Sequence, residues 1–157
     1  MLDLPPDTGD AALHAPHAAA RSTPHSAPHS ATYAADLAHL KTLAERGMAQ
    51  AQYNLGVTLQ KGQGMAPDPA QAAHWYERAA TQGFAPAQFN LGWLYAKGQG
   101  VSVDLARALH WFTQAALQGE PGAQHNLGMM LDTGKGVARD QDAALGWYRR
   151  AADQGYA

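Results

Sequence analysis

Histidine and serine are the residue types whose placement in this chain could support chemistry. His74 and His110 lie 36 residues apart, and each precedes a tryptophan. A zinc ion needs its ligand atoms within about 2 Å, whereas equivalent atoms on successive repeat units are separated by at least a helix-packing distance of about 8–10 Å. Gly146 stands a further 36 residues along, so the pattern stops after two histidines. We therefore expect partly exposed helix residues here and predict no metal site.

Catalytic and nucleotide-binding patterns are also weak. Ser102 is the only serine beyond residue 32, and no neighbouring histidine–acid pair is placed to activate it. The absence of cysteine excludes a thiol nucleophile. Lys61–Gly64 and Lys97–Gly100 are glycine-rich, but a phosphate-binding loop follows a strand and has a further glycine or a Gly-Lys-Ser/Thr ending. We predict no catalytic residues and no cofactor, and a hydrolase is the least favoured hypothesis.

Charge and hydropathy exclude other classes. The chain has eleven basic and thirteen acidic residues, so it lacks the net positive charge that would favour binding to nucleic acid or an anionic membrane. No apolar run approaches the roughly 18 residues that span a bilayer. The N-terminus has Asp3, Asp7 and Asp10 where a signal peptide would be positively charged. The default expectation is a cytoplasmic protein.

Composition points to helices. Hydrophobic residues make up 46% of the chain, but 34 residues are alanine, isoleucine is absent and valine occurs four times. Strands favour β-branched and aromatic residues, whereas alanine and leucine favour helices. An all-α fold is therefore predicted.

The positioning elements repeat along the chain. Residues 49–84, 85–120 and 121–156 align without gaps, and fourteen of the 36 positions are identical in all three copies. A period of this length indicates a solenoid in which each unit packs against its neighbours.

Each copy has the pattern of two antiparallel helices, A and B. Helix A is predicted over 49–61, where it ends at a Gly-x-Gly sequence. Helix B is predicted to begin at Asp68, with Pro69 and Gln71 as supporting start signals, and to end at Gly83. A glycine inside each helix A, such as Gly92, predicts close approach of a neighbouring helix, with alanine pairs on the other side.

The flanking segments differ from the repeats. Residues 1–32 are rich in Ala, Pro, His and Ser and lack large apolar periodicity, so we expect a disordered arm rather than a metal-binding tract. Residues 33–48 align with a helix B and predict a capping half-repeat. No cap follows the third copy. A tolerant third helix B, packing against another chain and a fragment of a longer solenoid all stay open.

These motifs resemble the Sel-one-like repeat family, which is related to tetratricopeptide repeats. The resemblance covers 49–156 and rests on Ala87-Gln88-x-Asn90-Leu91-Gly92, Gly98-x-Gly100, Asp104, Trp111 and Ala115-Ala116-x-Gln118-Gly119. It implies a right-handed α/α superhelix with the A helices on its concave side, and an adaptor role. It is not taken to imply the β-lactam hydrolysis linked to a cysteine-rich branch.

Helix A has two apolar stripes at i, i+4 spacing. Leu55 and Leu59, with their equivalents Leu91, Tyr95, Leu127 and Leu131, should face the core. The second stripe varies between copies, and an invariant asparagine lies beside it. By the resemblance this stripe lines the concave face, although packing between repeats is the competing interpretation. The predicted partner-binding residues are Tyr53, Asn54, Val57, Lys61, Phe89, Asn90, Trp93, Lys97, His125, Asn126 and Met129.

The leading hypothesis is a non-enzymatic adaptor that binds a peptide or protein partner on this face. Aromatic and apolar contacts would supply affinity, while the asparagines and lysines would fix the direction of the peptide. The alternative is a structural module that self-associates through its third repeat or continues into a longer solenoid.

Overall fold

The computed structural model describes residues 29–156, which form seven α-helices and no strand within that range. Residues 1–28, which include most of the predicted disordered arm, lie outside the described residues. Each helix packs against the next along the chain, as an all-α solenoid requires. The helices are α1 (His29–Glu45), α2 (Ala49–Lys61), α3 (Pro69–Ala80), α4 (Ala85–Lys97), α5 (Leu105–Leu117), α6 (Pro121–Thr133) and α7 (Gln141–Asp153).

The predicted helix pairs are present in all three copies. Helices A are α2, α4 and α6, and helices B are α3, α5 and α7. The predicted end of helix A at Lys61 is confirmed, and Gly62 follows it in the left-handed conformation at φ 68°. Helix B ends two or three residues before the predicted glycine, at Ala80 in the first copy, because the chain turns there before Gly83 adopts φ 86°.

Aspartate caps the start of every helix B. The Asp68 carboxylate accepts a hydrogen bond from the backbone N–H of Gln71 at 3.0 Å, and Asp104 and Asp140 accept the equivalent bonds in the other two copies. A glutamine at this position can accept a hydrogen bond from the backbone N–H of the capping residue. Here the Asp68 backbone N–H donates instead to the Leu59 carbonyl at 2.9 Å. This bond fixes the start of helix B to the end of helix A.

The core stripe of helix A is buried as predicted. Leu55 and Leu91 are 1% and 0% exposed, and only Leu131 of the six stripe residues is merely half-buried. Gly92 does allow close approach, but the alanine-pair interpretation is wrong. A Cβ at Gly92 would lie 2.9 Å from the Phe112 ring, and Tyr76 and Tyr148 approach the equivalent glycines. A ring from helix B therefore occupies the space that each glycine leaves.

Buried glutamines join successive repeats. Gln88 Nε2 donates to the Ala80 carbonyl of the preceding copy at 3.1 Å. Gln118 Nε2 in turn donates to Gln88 Oε1 at 2.7 Å. The same pair of bonds recurs in the other two copies, at Gln52 with Gln82 and at Gln124 with Gln154. These bonds set how one repeat lies on the one before it.

The N-terminal half-repeat takes part in the same bonding. α1 packs on α2, and the Ala44 carbonyl accepts from Gln52 as Ala80 does from Gln88. The helix begins at His29, four residues before the predicted half-repeat at 33–48.

No helix among residues 29–156 is long and apolar enough to cross a membrane.

Candidate functional site

The exposed side of the A helices carries six of the eleven predicted binding residues. Val57, Trp93 and Met129 occupy the same position in α2, α4 and α6, and each is half-buried. Lys61 and Lys97 lie one turn further along and are exposed, and so is Asn54 on α2. The term helix-A face is used below for the surface formed by Asn54, Val57, Lys61, Trp93, Lys97 and Met129.

Trp93 is the central residue of this face. Its neighbours Leu91 and Leu94 are fully buried, whereas the indole remains partly in solvent. The Lys97 ammonium lies 5.9 Å from the centroid of the ring, at the limit of a cation–π contact. A large aromatic ring is thus held beside a positive charge where a partner can reach both.

Tyr53 and Phe89 do not line this face, and their assignment as partner contacts is wrong. Tyr53 is 3% exposed and Phe89 is 6% exposed. The Tyr53 ring lies 5.3 Å from the Phe84 ring and 5.9 Å from the Tyr76 ring, measured between centroids. The side chain therefore packs on aromatic rings of its own copy, within the core.

Phe89 is buried for a further reason. Its ring lies 6.0 Å from the Phe112 ring between centroids and also covers the start of α6, where a Cβ at Gly122 would lie 2.9 Å from the Phe89 ring. His125, the third equivalent, is half-buried between Tyr148 and Tyr156. Burial lowers the pKa of the His125 imidazole, so the neutral ring is favoured there.

The three asparagines are not equivalent. Asn54 is exposed, and its Oδ1 accepts a hydrogen bond from Gln50 Nε2 at 3.0 Å. Asn90 and Asn126 are 4% and 7% exposed, so their predicted role in direct contact with a partner is also wrong. Each of these two lies in a copy that follows a complete repeat, whereas only a half-repeat precedes Asn54. The two buried asparagines are therefore those that a complete repeat precedes.

Asn90 lies next to two buried hydroxyl groups. Burial raises the pKa of Tyr53 and of Tyr76, and the nearby Asn90 side chain offsets part of the effect. The Nδ2 group of Asn90 has no acceptor among the described residues at ordinary hydrogen-bond geometry. An orphaned buried amide is unusual in a protein interior.

Sequence reasoning missed Glu120. This residue follows α5 and directly precedes α6, and it is half-buried. Burial raises the pKa of its carboxyl group, and the nearby Gly122 backbone amide offsets part of the effect. Phe84 and Tyr156 occupy the same position in the other copies. When the three copies are aligned, this position holds two aromatic residues and one acid, and that difference could have identified Glu120.

The residues first considered for chemistry are on the B helices or in turns. His74 and His110 are exposed, and their rings stand edge-on to Trp75 and Trp111 at 5.3 and 4.8 Å between centroids. Ser102 is exposed in the turn before α5. No cluster of three or more histidine or acidic residues able to hold a metal is present among residues 29–156.

Comparison with known proteins identifies the repeat. The family model described as Sel1 repeat matches residues 49–84, 85–120 and 121–156, the three copies found by internal alignment. No curated protein matches the chain.

Two solved bacterial structures are similar. One is a protective antigen with an SLR fold, present in uropathogenic Escherichia coli strains, with 45% identity and a TM-score of 0.73. The match covers 76% of this chain but only 26% of the antigen. The other is a Sel1 repeat protein from Oxalobacter formigenes, with 40% identity, a TM-score of 0.70 and coverage of 76% of this chain and 90% of that one.

Proposed function

The chain belongs to the Sel1 repeat family, and on that premise we propose that it is a non-enzymatic adaptor whose helix-A face binds a peptide segment of a partner protein. Sel1 repeat proteins are generally protein-interaction modules. For this chain we propose the helix-A face as the binding surface, its six residues as the contacts and a peptide segment as the ligand.

The half-exposed Trp93 is the observation that carries the proposal. Tryptophan is enriched at binding hot spots, where a rigid ring supplies a large contact area. Here the ring lies on the middle A helix, between Val57 and Met129 of the flanking copies and beside the Lys97 ammonium. Invariant positions on these helices, such as Leu91 and Gly92, are buried. The varying, accessible positions are therefore the ones free to determine which partner binds.

The burial of four predicted residues narrows the contact set. Tyr53, Phe89, Asn90 and Asn126 are buried and His125 is half-buried, so they are left out of the proposed contacts. Direct contacts come from the six residues of the helix-A face. Two exposed lysines at the ends of α2 and α4 favour a partner segment with acidic groups on that side.

Affinity capture followed by substitution tests the proposal. The full-length chain is used as bait, and the captured partner is then measured against Trp93→Ala and against Leu117→Ala as a control. Leu117 is 66% exposed on α5, on a helix B. We expect at least a tenfold loss of affinity for Trp93→Ala, in line with hot-spot truncations of about 2 kcal/mol, and no change for Leu117→Ala. Unchanged affinity in a folded Trp93→Ala variant contradicts the assignment.

A second candidate function is self-association through α7. Ala80 and Ala116 are 2% exposed because the following helix A covers them, whereas the equivalent Ala152 is exposed. On the same helix Leu145 is 48% exposed. These apolar residues form a face suited to packing against another chain.

Light scattering over a range of concentrations distinguishes this candidate. Self-association predicts a mass that rises with concentration and returns to that of a monomer in Leu145→Lys. A mass equal to one chain at every concentration contradicts it.

A further inference from the structure

The B helices share a tryptophan whose surroundings differ in the third copy. Trp75, Trp111 and Trp147 are equivalent, and each is half-buried. In the first two copies a histidine precedes the tryptophan, and its ring stands edge-on to the indole at 5.3 Å in α3 and 4.8 Å in α5, between centroids. In α7 this position is Gly146, where an added Cβ would have no atom within 4 Å. The residue before Trp147 therefore leaves open the space that a ring fills in the other copies.

A second small residue widens this opening. Gln71 and Arg107 share one position in the first two copies, and Ala143 holds it in the third. A surface cavity of about 180 Å³ lies there, lined by Ala143, Gly146, Trp147 and Arg150. The four residues have the i, i+3, i+4 and i+7 spacing that places side chains on one side of a helix. The third copy thus has a cavity where the other two carry longer side chains.

Arg150 gives this cavity a positive charge. Its guanidinium lies 4.6 Å from the centroid of the Trp147 ring, within the range of a cation–π contact. Neither of the two ion pairs found among residues 29–156 includes Arg150, and the side chain is exposed. Guanidinium N–H groups match the geometry of a carboxylate. The cavity can therefore bind a negative group next to an aromatic ring.

The first copy shows that a ring and a guanidinium can lie against one tryptophan together. Trp75 has the His74 imidazole at 5.3 Å and the Arg78 guanidinium at 5.0 Å from its ring centroid. Arg78 is the equivalent of Arg150. In α7 the guanidinium is in place without the histidine, so a ring supplied by another molecule would complete the same arrangement.

The volume of the cavity favours one side chain of a larger partner. Sites for free small molecules usually have volumes of about 300–1,000 Å³, whereas this cavity has about 180 Å³ and is lined by one helix. A single ring is held weakly by itself. The further contacts of a protein segment are therefore needed to keep it bound.

We propose that this cavity is a second binding site, which takes a phenylalanine or tyrosine side chain with an aspartate or glutamate beside it in a partner protein. The ring lies over Gly146 and edge-on to Trp147, and the carboxylate accepts hydrogen bonds from Arg150. The site is on a helix B, whereas α2, α4 and α6 form the helix-A face. It binds a different segment from that face and does not depend on it. An adaptor with both sites joins two partners.

Titration of the 15N-labelled full-length chain with short peptides tests this site. The probe is acetyl-Gly-Phe-Asp-Gly-amide, and the two control peptides carry leucine for phenylalanine or asparagine for aspartate. We expect the Trp147 indole N–H signal to shift and to saturate at about 1–10 mM probe, with the Trp93 signal in place. Binding should be about two- to tenfold weaker with leucine and about two- to fivefold weaker with asparagine.

Substitutions that copy residues of the other repeats provide matched variants of the chain. Gly146→His restores the ring of α3 and α5 and should abolish the shift of the Trp147 signal. Arg150→Gln places in α7 the residue that α5 has at Gln114. It should lower the affinity of the probe to that of the asparagine peptide and leave the asparagine peptide unaffected.

A gain of binding in the first copy is the converse test. Gln71→Ala combined with His74→Gly removes the two longer side chains beside Trp75 and leaves Arg78 in place. The Trp75 indole signal should then shift with the probe as the Trp147 signal does. No shift at Trp75 in this folded variant contradicts the proposed arrangement.

The outcomes keep this site separate from the helix-A face. Equal binding of the leucine peptide, or a shift that persists in Gly146→His, overturns the site at Trp147. A shift at Trp93 alone assigns the probe to the helix-A face and also overturns it.

Discussion

At the scale of single residues, equivalent positions in the three copies differ most where neighbouring elements cover them differently. The glycine inside each helix A is covered in the same way in all three copies, since a ring from helix B packs against it. Gly146 on α7 shows the opposite case, because a Cβ added there would have no atom within 4 Å. The same residue type therefore serves packing at one place and not at the other.

Gly92→Ala should lower the melting temperature, whereas Gly146→Ala should raise it. The new methyl group at Gly92 meets the Phe112 ring, which is 1% exposed and has no room to turn away. Overpacking of this kind costs about 1–3 kcal/mol. At Gly146 only the gain in helix propensity remains, about 0.5–1 kcal/mol. Circular dichroism melting curves of both variants are the measurement, and a shift of the same sign in both contradicts the packing argument.

Glu120→Gln should make the chain more stable at neutral pH. The folded pKa of Glu120 is raised above 4.5, so in the window above that value the folded state binds more protons than the unfolded state. Stability contributed by this group therefore falls as the pH rises through the window. Glutamine removes the effect, and the difference between the proteins should vanish below pH 4.5. Urea unfolding as a function of pH measures it, and greater stability of the natural chain at neutral pH contradicts it.

At the scale of elements, the chain forms helix pairs that glutamines join to one another. The buried Gln88 both donates to Ala80 of the preceding copy and accepts from Gln118 of its own. Gln118 is exposed, so water can replace it as a donor. The two residues therefore contribute unequally to how one repeat lies on the next.

Gln88→Ala should destabilise the chain more than Gln118→Ala does. Removing the buried side chain breaks both of its hydrogen bonds, at about 0.5–1.5 kcal/mol each, although the Ala80 carbonyl keeps the Gly83 backbone N–H as a donor. Loss of the exposed partner should stay within about 1 kcal/mol. Thermal unfolding of the two variants decides between them. An equal or larger effect of Gln118→Ala would contradict the larger contribution that we assign to the buried Gln88.

Element boundaries were predictable because local chemistry sets them. Asp68 has the side chain that caps a helix, and Gly62 tolerates the left-handed turn that ends one. The burial of Tyr53 was not predictable in this way. An i, i+4 stripe shows which residues share a face of a helix, but the rings that cover Tyr53 come from Tyr76 and Phe84, more than twenty positions away in sequence. Which face is covered depends on packing between elements.

At the scale of the whole molecule, the described repeats offer two kinds of surface. The helix-A face combines one half-exposed aromatic ring with exposed lysines, whereas α7 exposes the apolar side chains of Leu145, 48% exposed, and Ala152. A mixed surface suits a selective, reversible partner, and an apolar one suits permanent packing. The first surface therefore supports the adaptor role, and the second supports self-association as a separate property.

The tryptophans supply the most direct test of the adaptor role. The chain has four of them, of which Trp93 lies on a helix A and Trp75, Trp111 and Trp147 lie on the B helices. In a titration of the 15N-labelled chain with a captured partner segment, the indole N–H signals report both sides of the molecule at once. We predict that the Trp93 signal shifts and saturates while the other three stay in place. A saturating shift of the B-helix signals with Trp93 unmoved would contradict the account.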